Sequence, residues 1–97
     1  IGTLPDEFAL HGSYPNPFRG DTTIEYELPE KAHVRIAVFN VLGQEVAVLV
    51  DEEQAAGRYD VRWDGRGMTG APVASGVYIY RIEAGDFSAI ERATRVR

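Results

Sequence analysis

From Thr22 to Leu28 the chain alternates: Thr22, Ile24, Tyr26 and Leu28 fall on one side, Thr23, Glu25 and Glu27 on the other. A period of two marks a strand with one face buried and one in water. The same pattern returns at Val34, Ile36 and Val38, where Arg35 points outward and Phe39 breaks the alternation, as at a bulge or under a covering loop. It returns in Tyr59, Val61 and Trp63, set against Arg58, Asp60 and Arg62, and again in Tyr78, Tyr80 and Ile82. No window repeats convincingly every 3.6 residues.

Turn signals separate these runs about every 8–12 residues, the spacing of a sandwich or barrel. Pro29-Glu30-Lys31-Ala32, Asn40-Val41-Leu42-Gly43-Gln44 and Gly85-Asp86 each read as tight turns, Gly43 supplying a positive φ. Residues 64–72 form the longest turn region. Strands are expected at residues 8–11, 22–28, 34–39, 45–50, 58–63, 77–84 and 87–96, with residues 51–56 as a polar connection. A helix over 45–56 is the competing reading, since Ala and Glu favour it. Val46, Val48 and Val50, with Gly57 behind them, argue for a strand. Between the first two strands, Tyr14-Pro15-Asn16-Pro17-Phe18 forms a stiff corner without hydrogen bonds of its own, whose aromatic ends can dock inward. The fold expected is all-β: an immunoglobulin-like antiparallel β-sandwich of about seven strands, or six if the first is only loop.

Composition narrows the function more than the fold. A chain of 97 residues has the length of one domain, enough for a modest core but not for a core plus a deep pocket. Its net charge of −5, without a basic stripe, disfavours nucleic acid as a partner. It has no Cys, which excludes thiol catalysis, thiolate zinc sites and disulfides. His11 and His33 are too isolated for a metal cluster, and Ser13, Ser75 and Ser88 lie in no nucleophile-elbow pattern. Asp51, Glu52 and Glu53 read as a solvated charge run rather than paired acids, and no glycine-rich loop precedes a helix. The chain is therefore expected not to be an enzyme and to need no cofactor or metal. No apolar run is long enough to span a membrane as a helix. The only Met is Met68, so the chain is expected to begin inside a larger protein, with residues 1–7 as a linker end and 8–97 as the domain.

Four segments in order carry a recognisable pattern. They are Tyr14-Pro15-Asn16-Pro17-Phe18 with Thr22-Thr23-Ile24 and Leu28-Pro29; residues 38–46 around Asn40-Val41-Leu42-Gly43-Gln44; Gly57-Arg58-Tyr59-Asp60-Val61-Arg62-Trp63-Asp64-Gly65; and Val73-Ala74-Ser75-Gly76-Val77-Tyr78. Together they resemble the type A C-terminal sorting domain of the type IX secretion system, related to the immunoglobulin-like domain of a flagellar hook-capping protein. The resemblance implies a delivery role: such a domain ends an exported cargo protein, is read by the outer-membrane translocon, and is removed by a sortase-like peptidase. Its partners would be the translocon, that peptidase and the cargo covalently joined upstream. Its route would be the periplasm in transit, then the cell surface or the exterior.

By the same resemblance, the residues expected to meet the translocon are Gly57, Tyr59, Gly76, Val77, Tyr78, Arg92, Arg95, Val96 and Arg97. Those expected to maintain the fold are Tyr14, Pro15, Asn16, Pro17, Phe18, Gly43, Trp63, Asp64 and Gly65. The family commonly shows Lys early in the last strand followed by a β-branched run. Here the segment is Ala89-Ile90-Glu91-Arg92-Ala93-Thr94, with Arg92 as the nearest basic equivalent. The final strand carries a basic finish and, if it is a sheet edge, free backbone groups for β-addition. Two other functions are compatible with a sandwich: a polysaccharide-binding module presenting Trp63, Tyr59, Tyr78 and Tyr80, or a passive spacer.

Overall fold

The computed structural model describes residues 4–96, so Arg97 and the first three residues of the expected linker lie outside them. Seven strands follow in chain order: β1 (Ala9–Tyr14), β2 (Thr22–Leu28), β3 (Ala32–Phe39), β4 (Glu45–Gln54), β5 (Gly57–Trp63), β6 (Gly76–Ala84) and β7 (Phe87–Arg95). They form two antiparallel sheets, a three-stranded one ordered β1-β2-β5 and a four-stranded one ordered β4-β3-β6-β7.

The alternation read from the sequence decides what lies between the sheets. Ile24 and Trp63 of the smaller sheet pack with Val38, Tyr78, Tyr80 and Ala93 of the larger. Tyr26 and Leu28 pack with Val34, Ile36, Ile82 and Ala84. All are buried, and at roughly 1.5–3 kcal/mol per large apolar side chain they supply most of the force holding the sheets together. Two hydroxyls tie one sheet to the other: Tyr80 donates to the His11 carbonyl at 2.9 Å, and Tyr26 to Gln54 Oε1 at 2.6 Å.

Three expectations need correction. The segment 51–54, expected as a polar connection, continues β4 and pairs with Ala32, His33, Val34 and Arg35. Two of its carboxylates meet basic side chains from β3 or the residue before it, Asp51 with His33 at 2.7 Å and Glu53 with Lys31 at 3.7 Å, while Glu52 accepts from Gln54 on its own strand. An edge strand held by backbone bonds and cross-strand ion pairs needs no apolar alternation. The first strand runs from Ala9 to Tyr14 rather than over residues 8–11, with a bulge between Leu10 and Ser13. That bulge sets Ser13 inward and turns Tyr14 out, so Tyr14 is 82% exposed and does not dock, whereas Phe18 is 1% exposed. Of the two readings of its broken alternation, Phe39 shows the bulge, between Val38 and Phe39.

Burial pushes the Tyr80 hydroxyl up to about 12 and also raises that of Tyr26. Tyrosines of the unfolded chain ionise near 10, so on alkalinisation the unfolded state loses protons first. The contribution of the neutral hydroxyls is therefore complete below about pH 10 and is lost as pH rises toward 12. Thermal melts should fall as pH rises above about 10. Tyr80→Phe should shallow that fall, and an unchanged slope in the variant would contradict the assignment.

Candidate functional site

The strongest local feature joins the proline corner to the last strand. Both X-Pro bonds of the corner, Tyr14–Pro15 and Asn16–Pro17, are cis. Between them the side-chain amide of Asn16 acts as a length of strand. Its Nδ2 donates to the Arg92 carbonyl at 3.0 Å, and its Oδ1 accepts from the Thr94 N–H at 2.9 Å. Phe18 then continues in parallel with β7: its N–H donates to the Thr94 carbonyl, and its carbonyl accepts from the Val96 N–H, both at 2.9 Å. Proline cannot donate to a ladder, so the asparagine and phenylalanine beside the two prolines carry all four bonds. Because β7 ends its sheet, these bonds close the C-terminal part of an otherwise open edge.

Asn16→Ala removes two of the four bonds. Since Asn16 is exposed and water can replace its partners, stability should fall by only about 1 kcal/mol. Amide exchange at Thr94 should nevertheless speed up while Tyr80 keeps its protection. An unchanged Thr94 rate would show that the side chain does not hold the edge.

Beneath the corner, the remaining motifs meet. The Phe18 ring lies 5.4 Å from Trp63, and Trp63 lies 5.4 Å edge-on to Tyr78. The indole Nε1 donates to the Arg66 carbonyl at 3.0 Å, which pins the start of the long turn. Asp64 Oδ1 accepts from the Arg66 N–H at 3.1 Å, an Asx turn that explains the Asp. Gly65 follows at φ +74°, and a Cβ there would stand 2.7 Å from Arg95 Nε and 3.2 Å from the Gly20 carbonyl. Only glycine meets both demands. Arg95 runs under this turn, and its guanidinium donates to the Val73 carbonyl at 2.8 Å. Arg95, expected at a receptor surface, is thus half-buried and braces the turn.

The two Gly-x-Tyr motifs assigned to recognition are one device used twice. Gly57 and Gly76 open β5 and β6 at positive φ, 156° and 149°. Two residues on, Tyr59 donates its hydroxyl to the Ala55 carbonyl and Tyr78 to the Ala74 carbonyl, each at 2.7 Å. Each tyrosine pins the chain four residues upstream, a corner like that found in immunoglobulin sandwiches. Tyr59 also stacks on Tyr26 at 5.3 Å, and Tyr78 is buried. Neither is a flat, exposed platform, and Trp63 and Tyr80 are buried too, so the aromatic surface that a polysaccharide module requires is inside the sandwich.

Val77 and Arg92 are exposed, and Val96 is half-buried against Phe18 through its backbone bond. Gly43, at φ +82°, closes the β3–β4 turn as expected and lies on the outer face of the larger sheet, apart from the corner cluster. Residue types alone hid the Asn16–β7 pairing, whose partners are 76 and 78 residues away. The only local sign was an amide side chain between two residues unable to donate. Among the described residues no group of His, Cys, Asp and Glu is arranged to hold a metal ion, and no helix is long and apolar enough to cross a membrane.

Comparison with known proteins places this geometry. The family described as "FlgD Ig-like domain" matches residues 15–87. Among solved structures, dimeric latent PorU from Porphyromonas gingivalis superposes with a TM-score of 0.75 at 18% identity, covering 98% of this chain and 10% of that one. PorZ, described as an essential bacterial surface component of the type-IX secretion system of the same organism, superposes with a TM-score of 0.64 at 24% identity, covering 92% of this chain and 12% of that one. At those identities the likeness is one of fold, and this chain spans about a tenth of either protein. No curated protein matches the sequence.

Proposed function

We propose, from the premise that this chain belongs to the FlgD Ig-like domain family, that it is a C-terminal sorting signal which directs an attached cargo across the outer membrane by the type IX route. The observation that carries the reading is the superposition of nearly the whole domain on a module of PorZ, itself a surface component of that system. Four motifs in family order support it, three of them meeting around Trp63. On this reading the domain does no chemistry. It is read by the translocon after folding and is then cut from its cargo by a sortase-like peptidase, leaving the cargo at the surface or outside the cell.

The test fuses residues 10–97 behind a periplasmic reporter in a host that has the translocon and in one that lacks it. Surface display only in the first host is expected. A reporter retained in the periplasm of both would overturn the proposal and leave a passive spacer.

A further inference from the structure

The closed edge of β7 defines an open one. Thr94 directs both its N–H and its carbonyl off the sheet, to Asn16 and Phe18. The β6–β7 register is regular, so every second residue does the same, which makes Arg92, Ile90 and Ser88 outward-facing as well. The Arg92 carbonyl is taken by Asn16, whereas among the described residues no strand pairs with Ile90 or Ser88 on that side. A run of about five residues of unpaired edge lies beside a segment where the fold has installed a cap.

The side chains next to this edge are not those of a solvated surface. Ile90 is 62% exposed on the outer face, opposite Arg81, and Arg92 stands opposite Ile79, itself paired with Phe39. Val41 and Leu42, in the β3–β4 turn, are 74% and 79% exposed. Between Phe39, Val41, Ile79, Arg81 and Ile90 lies a depression of about 410 Å³ that reaches the edge at Ile90. Contiguous apolar surface next to unpaired strand backbone is the arrangement used in β-strand addition. Arg81 is already paired with Glu83 at 3.9 Å and lies over the Phe39 ring, which leaves Arg92 as the cation at this edge of a chain of net charge −5.

We propose that residues 88–92 of β7 accept one strand from another protein, an extended segment whose outward side chains alternate apolar and acidic. The apolar residues would rest on Ile90 and the mouth of the depression, and the acidic one would meet Arg92. A second copy fits less well. Antiparallel pairing about Ile90 sets Arg92 opposite Ser88, parallel pairing in register sets Arg92 beside Arg92, and two chains of net charge −5 repel. The inference stands on the edge and its charges, independently of the export role.

The probe is a short capped peptide alternating Val and Thr with one Glu, together with a twin carrying Lys instead, titrated into the isotope-labelled domain. Saturable amide shifts are expected at Ser88, Ile90 and Arg92 but not at Thr94. Arg92→Glu should weaken the acidic peptide about tenfold and favour the basic twin. Ile90→Pro removes an edge donor that strands tolerate losing and should abolish binding. If that variant does not fold, Ile90→Lys, which removes the apolar contact, should weaken binding in its place. Absence of saturable shifts, shifts centred on β4 or β5, or equal affinity for both peptides would overturn the proposal. A doubled mass without peptide, lost in the Ile90 variants, would overturn it in favour of self-association.

Discussion

Trp63→Ala should destabilise the domain by about 4 kcal/mol, close to the whole stability expected of a domain of this size. The indole is 2% exposed and is gripped on both sides, by Phe18 at 5.4 Å and by Tyr78 at 5.4 Å. Truncation leaves a cavity where the proline corner, β5 and β6 meet, and it also frees the Arg66 carbonyl from Nε1. Urea unfolding should show the midpoint falling by more than half, with the variant partly unfolded before denaturant is added. Trp63→Phe keeps a ring in the cluster but not the donor, and should lose only about 1–2 kcal/mol. A Trp63→Ala midpoint within experimental error of the parent would mean that the cluster is not the keystone described above.

The second large effect is expected at a residue with no side chain. Gly65→Ala combines a backbone at φ +74° with a Cβ that would stand 2.7 Å from Arg95 Nε and 3.2 Å from the Gly20 carbonyl. Left-handed backbone costs about 1–2 kcal/mol for an L-residue, and overpacking against a braced arginine adds about as much, for a total of about 2–4 kcal/mol. The two parts separate in a double-mutant cycle. Arg95→Ala alone loses the bond to Val73 and is destabilising, but in the Gly65→Ala background it also relieves the contact. The double variant should therefore be less destabilised than the sum of the singles by about 1 kcal/mol, measured from denaturant midpoints at constant slope. Strict additivity would place the cost in the backbone angle and the Gly20 contact rather than in Arg95.

How far the sequence discloses this molecule depends on the kind of interaction. Thr22–Leu28 was readable because burial on one face imposes a period of two, and each inward residue of that run is buried. The C-terminal half of β4 was not, because Asp51, Glu52 and Glu53 carry no such period and are ordered by the ladder they join. Tyr14 was misplaced because a bulge two residues earlier reversed which side it faces, and bulges have no signature in alternating polar residues. Tyr59 and Tyr78 are expected at a receptor by resemblance, and in the structure their hydroxyls serve the neighbouring turns. The Gly-x-Tyr pattern shows that an unusual backbone is needed, not what it is for. The corner and the last strand were each conspicuous alone, and nothing local records that one covers the other.

That covering has a consequence for the order in which the domain assembles. The partners of Asn16 lie 76 and 78 residues further along, so the corner has nothing to bind until β7 is present. The first turn of the domain is thus secured by the last strand in chain order. A nascent or clipped chain that ends before Arg92 leaves Asn16 and Phe18 without their partners, and its corner stays untied. Order at the corner is in this way a report that β7 is present and paired.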